Sequence, residues 1–264
     1  MQQSVSLNRY WNRRLDPLDW KRVRGPVDRR RWREAHGAFL SPDTADAIDL
    51  LGELQGKQLL ELGCGQGCGA LHLARRGARV TGIDVSDRRC VVAEQALAET
   101  EVGDRVQLCA ASAERLPFAD GGFDRVFCRD VLMYADPRVV TAECARVLRP
   151  GGRVVFVESL AGPAILRWYR RWTSPGDYRT FTRHLSFEEM QRLSESLKLE
   201  SARPYHLLSI AAFLALFILR SNRLWSLGLR LLQPVDDRLL DRFPGLASVA
   251  WRGTALYRKA RVAT

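Results

Sequence analysis

The sequence predicts an α/β fold, in which short buried strands alternate with helices. One observation is the apolar run at 59–62, which is typical of a parallel strand and is followed by alternating glycines and a helical pattern. A second is the next unit along the chain, a strand at 79–84 that ends in Asp84. A third is a hydrophobic content of 46% in 264 residues, which suits one α/β domain with additions.

The glycine-rich turn at 63–67 predicts a ligand site. Strand, glycine turn and helix form the layout in which a ligand lies over the carboxyl end of a strand, near backbone N–H groups. Glycine suits the turn because a Cβ atom would hold the ligand away and because such turns often need positive φ. Asp84 can accept two hydrogen bonds from a ribose diol. Dinucleotide-binding folds share such a turn, and residues 65–70 match their G-x-G-x-x-A pattern, so an NAD-binding protein is one alternative. Glu61 disfavours it, because that fold normally has an apolar residue there.

Four segments carry a family resemblance. They are E-x-G-C-G-x-G at 61–67, G-I-D at 82–84, x-A-E-x-L-P-F-x-D-x-x-F-D at 112–124 and L-x-P-G-G at 148–152. Together they resemble the class I S-adenosylmethionine-dependent methyltransferases, and the resemblance is continuous over residues 57–158. It implies a Rossmann-like sheet of seven mostly parallel strands with helices on both faces. It also makes S-adenosylmethionine (SAM) the expected cofactor.

The resemblance implies which residues hold the cofactor. In relatives, the residues at 112 and 113 abut the adenine ring, and the first of them is most often Asp; Ser112 can still accept from the adenine amino group, without a charge. In many relatives the segment before the first strand folds over the cofactor as a lid, and anchoring to the core surface is the alternative for this basic, aromatic segment. The expected cofactor-binding residues are Tyr10, Trp11, Glu61, Gly63, Cys64, Gly65, Gly67, Asp84, Val85, Ser112, Ala113, Glu114 and Arg129.

The methyl group of SAM is already activated, so the expected reaction is an in-line displacement on an aligned acceptor atom. A general base is needed only if the acceptor is a hydroxyl or an acidic carbon. Tyr134 stands near the place where many small-molecule methyltransferases have a histidine, and His184 follows an aromatic and Arg-rich segment. Both are candidate catalytic residues, with ordinary packing as the alternative. The [ND]-P-P-[YF] motif of nucleic-acid and protein-amide methyltransferases is absent, which argues against that branch.

Four helices are predicted by their start signals. Ser41 followed by Pro42 begins a helix that keeps apolar spacing to Leu54. Ser86 caps a second helix, which runs to about residue 100. Asp136 and Pro137 begin a third, and Ser186 with Glu189 forms a capping box that begins a fourth, running through Leu197. Strands are predicted at 105–111, 123–128, 154–158, 199–205 and 247–257.

The chain divides into four parts. Residues 1–40 form the basic, aromatic lid segment, and 41–206 form the SAM-binding core, with an aromatic and Arg-rich cap at 159–185 that includes Trp168 and Trp172. Residues 207–246 form an apolar helical insertion between strands six and seven, and 247–264 are the last strand and tail. A helix over 207–219 would span about 20 Å, against a hydrocarbon core of about 30 Å, so it is too short to cross a membrane. Residues 207–232 are therefore a membrane foot, a substrate cap or a dimer contact.

The charge distribution favours an anionic partner. The net charge is +11, and the basic excess lies in 1–34 and 160–264, whereas 35–159 are mildly acidic. Because nearly all of these cations are arginine, genome composition is an alternative cause. The six cysteines form no C-x-x-C pair and have no histidines at zinc-ligand spacing, so no metal site is predicted.

The leading hypothesis is SAM-dependent O- or C-methylation of a small, hydrophobic or lipid-like acceptor. The alternatives are an RNA-directed methyltransferase and a non-catalytic SAM-binding protein at a membrane. No DNA partner is expected. The start of the chain has no secretory signal, so the expected location is cytoplasmic, with peripheral contact at the inner face of a membrane as an extension. The oligomeric state stays open.

Overall fold

The computed structural model describes residues 2–13, 40–173, 176–212 and 221–261. Within these ranges the strands form one sheet in the order β3-β2-β1-β4-β5-β7-β6, in which β7 alone runs antiparallel to its neighbours. The sheet confirms the predicted Rossmann-like fold. The strands are β1 (Gln58–Leu62), β2 (Arg79–Asp84), β3 (Val106–Ala110), β4 (Phe123–Arg129), β5 (Leu148–Ser159), β6 (Leu197–Tyr205) and β7 (Arg252–Lys259).

Helices precede, connect and cover these strands. Two predicted caps are confirmed: the Ser86 hydroxyl accepts from the N–H of Arg89, and the Asp136 carboxylate accepts from the N–H of Arg138. The helices are α1 (Gln2–Arg13), α2 (Pro42–Leu50), α3 (Cys68–Arg75), α4 (Asp87–Ala98), α5 (Pro137–Val147), α6 (Ala164–Thr173), α7 (Gly176–Phe181), α8 (Phe187–Gln191) and α9 (Asn222–Arg242).

The strands supply apolar side chains to both faces of the sheet. Alternate residues belong to different core clusters: Val154 and Phe156 of β5 pack on the side of α5 and α8, whereas Val155 and Val157 pack on the side of α2, α3 and α4. All four are fully buried. This two-sided burial is the reason why residues 154–157 of β5 form a continuous apolar run rather than an alternating pattern.

Two predicted helices are shorter in the structure. The helix that begins after Ser41 ends at Leu50, because Gly52 follows at a φ of 76°. The helix capped by Ser186 has the predicted capping box with Glu189 but ends at Gln191. Its continuation is replaced by tertiary contacts, since the N–H of Leu193 donates to the hydroxyl of Tyr257.

The last strand begins later than predicted. Residues 247–249 belong to a 3-10 helix, Pro244–Val249, and β7 starts only at Arg252, where it pairs with both β5 and β6. The chain is turned into the sheet by Trp251, whose N–H donates to the carbonyls of Tyr205 and His206. The strand therefore starts where the sheet offers partners, which the sequence pattern did not show.

The segment between β6 and β7 contains α9, and residues 213–220 of the predicted insertion lie outside the described residues. Its entry is fixed by Asp236 of α9, whose carboxylate accepts the N–H groups of residues 207–209. Trp225 and Leu229 form the inner face of α9 and pack on Ala212. In the part of the chain that the structure describes, no helix combines the length and hydropathy needed to cross a membrane.

Candidate active site

The glycine turn after β1 adopts a conformation that requires glycine. Gly63, Gly65 and Gly67 have φ values of 74°, 53° and 81°. A Cβ atom on Gly63 would lie 2.5 Å from Cγ2 of Val131, so the turn also has no room for a side chain there. Gly63 lines the main cavity, whereas the other two glycines shape the turn behind it.

Asp84, at the end of β2, joins the glycine turn to α4. One carboxylate oxygen accepts the N–H of Gly65 at 2.9 Å and the other accepts the N–H of Ser86 at 2.8 Å. Burial raises the pKa of this carboxyl, while Arg89 and the two N–H groups oppose the rise. Because each oxygen has a further lone pair and the residue lines the cavity, Asp84 can still accept from a diol.

The main cavity lies at the carboxyl ends of β1, β2 and β4, where the topology of the sheet places ligands. The structure brings together there most of the predicted residues: Trp11, Gly63, Asp84, Val85, Ser112, Ala113, Glu114, Arg129 and Tyr134. The predicted residues that do not line it are Tyr10, Glu61, Cys64, Gly65, Gly67 and His184. The lining residues that the sequence reasoning missed are Leu7, Ile83, Arg89, Ala111, Asp130, Val131 and Ala135. Several of these residues are direct sequence neighbours of predicted ones, such as Ile83 beside Asp84 and Asp130 beside Arg129. Their position at the ends of the strands could therefore have predicted them.

Glu61 lies beneath the glycine turn. It is almost fully buried, and burial raises its pKa to about 8, against the lowering effect of Arg129. One of its carboxylate oxygens, Oε2, has no hydrogen-bond partner among the described residues. At neutral pH the side chain is therefore largely protonated, and it supports the turn rather than the cavity wall.

Helix α1 closes one side of the cavity. Its Asn8 donates to the carbonyl of Val85 at 2.7 Å, and Asn12 accepts from the hydroxyl of Ser86 at 2.6 Å. The indole of Trp11 stacks against the Arg89 guanidinium, which lies 4.0 Å from the ring centroid. The predicted lid segment is 1–40, and its residues 14–39 lie outside the described residues, so the lid stays a prediction.

A chain of aromatic contacts links α1 to both sides of the cavity. Trp11 meets Tyr134 edge-on with ring centroids 5.4 Å apart, and Tyr10 packs against Trp11 and against Phe181 of α7. Tyr10 is buried by these contacts and does not face the cavity. Its role is to hold α1 in place.

A buried ionic cluster supports the cavity wall at Asp130. This residue follows β4 with a φ of 54°, and its carboxylate accepts from the Arg252 guanidinium at 3.0 Å and from the Ser159 hydroxyl at 3.1 Å. Arg252 also pairs with Asp43, whose other oxygen lies 3.2 Å from Nε2 of His206. Burial opposes ionisation of Asp130, but Arg252 and Arg129 hold the pKa of its carboxyl below the usual value. A carboxylate therefore faces the cavity from a fixed position.

A second cavity adjoins the first one. It has a volume of about 870 Å³, which is within the range of small-molecule sites. Glu114, Tyr134 and Ala135 line both cavities, so they form the boundary between them. We call the second cavity the acceptor groove. Its apolar wall includes Met133, Phe181, Leu185 and Leu193, and its rim carries Arg138, Arg183, Arg192, Glu188 and Glu189.

His184 lies beside the acceptor groove but is not among its lining residues. Nδ1 is 3.1 Å from the carbonyl oxygen of Ser159, which can only accept, so Nδ1 carries the proton and Nε2 keeps its lone pair. Burial, together with Arg170, lowers the pKa of the imidazole to about 4. The ring is therefore neutral at physiological pH.

Two comparisons identify this part of the chain. Residues 60–156 match the family model described as a methyltransferase domain. This segment is therefore similar to a methyltransferase domain. SAM is the cofactor of this family, and one solved neighbour, a geranyl diphosphate methyltransferase, holds SAM.

The curated relatives match over the same domain. Ubiquinone biosynthesis O-methyltransferase of Aromatoleum aromaticum is 38% identical over 133 residues, which is 48% of this chain and 56% of that protein. Methyltransferase GfsG of Streptomyces halstedii is 40% identical over 137 residues, 47% of this chain and 49% of that protein. The chain thus spans about half the length of the curated relatives it matches.

Solved structures extend the likeness to nearly the whole chain. A geranyl diphosphate methyltransferase, solved with GPP and sinefungin, has a TM-score of 0.65 at 19% identity and covers 98% of this chain and 99% of its own. The [4+2]-cyclase SpnF has a TM-score of 0.57 at 20% identity and covers 83% of this chain and 82% of its own. These neighbours share the fold of this chain. One is named a methyltransferase and the other a cyclase, so the fold alone does not determine the reaction.

The residues of the main cavity fit SAM. Asp84 offers free lone pairs to the ribose diol, and Ser112 with its flanking apolar residues suits the adenine ring. Gly63, where a Cβ would clash, leaves the backbone open to the methionine part. Arg129 and Asp130 line the same cavity with opposite charges and are the residues that would hold its carboxylate and amino groups.

Proposed function

We propose that the protein transfers the methyl group of SAM to a small acceptor molecule, at an oxygen or carbon atom. The observation that carries this proposal is the shared wall between the two cavities, formed by Glu114, Tyr134 and Ala135. An acceptor in the groove and a cofactor in the main cavity would meet at this wall, as an in-line displacement requires.

The residues around the main cavity then have roles that follow from their positions. When bound, SAM supplies an activated methyl group on a sulfonium. Asp84 orients the ribose, and α1 covers the cavity through Trp11, which keeps water from the reacting atoms. The ionised Asp130, fixed by Arg252, favours a positively charged cofactor in the cavity.

The acceptor groove supports an acceptor with an apolar body and a polar end. Its inner wall is apolar, through side chains such as Phe181 and Leu193, whereas its rim is charged. Ubiquinone and geranyl diphosphate appear in the names of similar proteins, which supports a small molecule rather than a macromolecule. We therefore favour a hydrophobic or lipid-like acceptor over RNA.

Tyr134 is the side chain that we assign to contact with the acceptor, because it lies on the shared wall. His184 is a base only if the acceptor reaches its Nε2 atom, and its lowered pKa makes it a weak one. Replacement of Tyr134 by Phe should reduce kcat by about 10- to 100-fold if its hydroxyl takes part in proton transfer or alignment. An unchanged kcat would remove Tyr134 from the chemistry.

The acceptor class is tested by label transfer. Purified protein and methyl-labelled SAM are incubated separately with a lipid extract, with water-soluble metabolites and with RNA. Label in the lipid extract supports the hydrophobic acceptor, label in the metabolites replaces it with a polar small molecule, and label in RNA contradicts the small-molecule proposal. Absence of transfer, with SAM bound, would favour the non-catalytic alternative.

Cofactor binding is tested independently of the acceptor. Asp84→Asn should weaken SAM binding by about 10- to 100-fold, because a hydrogen bond to a charged group contributes about 1.5–3 kcal/mol. Asp49→Asn is the matched control, since Asp49 is exposed and pairs only with Arg76 in the described residues. Calorimetric titration with SAM measures both. Equal affinities in the two variants would contradict the assigned cavity.

We also propose peripheral membrane contact through residues 207–232. In support, Leu224, Leu227 and Leu231 of α9 are exposed on the side opposite Trp225 and Leu229. The first half of α9 has no acidic residue, which suits an anionic surface. Replacing Leu227 and Leu231 by alanine should reduce flotation of the protein with anionic vesicles, and unchanged flotation would contradict this contact.

A further inference from the structure

Helix α6 exposes its tryptophans and turns arginines toward the protein. Trp168 and Trp172 are 58% and 72% exposed, and their ring centroids lie 6.0 Å apart. Arg170 reaches back to the carbonyl of Leu160 at 2.6 Å, and Arg167 donates to the carbonyl of Gly162 at 2.6 Å. A surface helix in water normally has the opposite arrangement, with apolar side chains inward and charges outward.

The arginines explain how α6 is held without burial of its tryptophans. Leu160 and Gly162 lie in the segment that follows β5, so the two guanidinium contacts tie the helix to that segment. Within the part of the chain that the structure describes, the tryptophan pair stays exposed. It forms an outward apolar ridge, which we call the α6 ridge.

The charge around the α6 ridge selects an anionic occupant. Helix α6 contains no acidic residue, and Arg171 is exposed beside the ridge. Arg179 of α7 donates to the carbonyl of Arg171 at 2.8 Å, which brings another exposed cation to the end of the helix. Indole rings prefer the boundary between apolar and polar phases, and cations there gain from anionic headgroups.

A second copy of the chain suits the ridge less well. A tryptophan buries at most about 250 Å², whereas a stable interface needs about 800 Å² from each partner. Two tryptophans therefore supply too little area for a dimer contact. Insertion into a lipid surface needs no matching protein surface.

We propose that the α6 ridge docks the protein on an anionic lipid surface, with the acceptor groove opening beside it. Phe181 of α7 lines the groove, and the N–H of Ala161, just before α6, donates to the carbonyl of Leu185, which also lines it. The ridge and the groove are thus fixed to one another. This inference goes beyond the proposed methyl transfer and beyond the contact at 207–232, because it rests on a different element.

The test is flotation of the full chain with vesicles of phosphatidylcholine alone and of phosphatidylcholine mixed with phosphatidylglycerol. The wild-type protein should float with the mixed vesicles. Trp168→Ala combined with Trp172→Ala should reduce partitioning by about tenfold or more, and Arg171→Gln by about fivefold. Leu227→Ala combined with Leu231→Ala is the parallel variant of α9. Loss of binding in the α9 variant alone, with the tryptophan variant floating normally, would overturn the inference.

A second measurement does not depend on truncated side chains. Brominated phospholipids should quench part of the tryptophan fluorescence of the wild-type protein, and the conservative pair Trp168→Phe and Trp172→Phe should remove most of that quenching. Quenching that persists in this variant would overturn the inference. So would a shift from dimer to monomer, seen by sedimentation without vesicles, in the alanine variant. Methyl transfer to an acceptor in free solution should be unchanged in each variant, so a failure of docking is distinguishable from a failure of the proposed activity.

Discussion

The cavity that we assign to the cofactor and the groove that we assign to the acceptor, called here the cofactor side and the acceptor side, are built in different ways. On the cofactor side, backbone conformation sets the site: three glycines at positive φ form the turn, and Asp84 is fixed by two backbone N–H groups. On the acceptor side, side chains from distant parts of the chain set the site, such as Tyr134, Phe181 and Leu193. A site formed by backbone conformation requires particular residues next to one another, so it can be recognised in a short sequence segment. A site formed by side chains from distant segments cannot be recognised in this way.

The two sides are joined by the buried cluster around Arg252. This guanidinium pairs with Asp43 of α2 and with Asp130 at the cavity wall, and His206 at the end of β6 contacts Asp43. His206 and Arg252 stand at the two ends of the segment between β6 and β7. Both contact Asp43, and Arg252 also contacts Asp130 on the cofactor side, so one ionic cluster connects the segment to that side. A disturbance in this cluster should affect both sides at once.

We expect the largest effect, a loss of folding stability, from removal of the Arg252 guanidinium. Arg252→Gln should lower the free energy of unfolding by about 3–5 kcal/mol, because it leaves the buried Asp43 and the half-buried Asp130 without their guanidinium partner. Arg203→Gln is the matched control, since its exposed pair with Asp237 contributes at most about 1 kcal/mol. Urea unfolding measures both variants. Similar losses in the two would show that the cluster does not join the two sides.

A smaller loss of folding stability is expected when the pH rises from neutral toward 8. Burial raises the pKa of Glu61 to about 8, so folded protein holds a proton that unfolded protein has released at neutral pH. Stability from this group is complete below the unfolded pKa near 4.5 and is lost as pH rises toward 8, at about 1.4 kcal/mol per pH unit. Glu158, whose pKa burial also raises to about 8, contributes in the same direction.

Between pH 7 and pH 8 the expected loss of stability comes from Glu61 and Glu158, because His184 titrates below this range in both the folded and the unfolded state. Urea unfolding across that window should show decreasing stability for the wild-type protein and a flatter dependence for Glu61→Gln. Glu101→Gln, a change at a fully exposed carboxyl, should keep the wild-type slope. An identical slope in Glu61→Gln would mean that Glu61 is ionised in the folded protein.

The smallest expected effect separates the tryptophans of the two sides. Trp11→Ala should weaken SAM binding by about five- to tenfold, because it removes the stacked Arg89 contact and part of the lid. Trp172→Ala changes the same residue type on the acceptor side and should leave SAM affinity unchanged, since Trp172 is exposed and distant from the cavity lining. Calorimetric titration compares them. A loss in Trp172→Ala equal to that in Trp11→Ala would remove the distinction between the two sides.

The sequence by itself determined the sheet and the position of the cofactor cavity. Apolar strands buried on both faces, glycines needed at positive φ and acids or caps at strand and helix ends are all local requirements, so each is visible in a short segment. The placement of Gly63, Asp84 and Ser112 in one cavity followed from the rule that ligands lie at the carboxyl ends of parallel strands.

Tertiary structure alone decided the rest. The helix after Ser186 ends at Gln191, because the N–H of Leu193 donates to the hydroxyl of Tyr257 instead of continuing the helix. Strand β7 begins only at Arg252, where β5 and β6 are available for pairing. Tertiary structure moved Tyr10 from the cavity into an aromatic contact and brought Asp130 to the wall through Arg252, which lies far along the chain. It also turned Trp168 and Trp172 of the predicted cap toward the solvent. Each outcome depends on a contact between residues distant in sequence, and local pattern carries no record of such contacts.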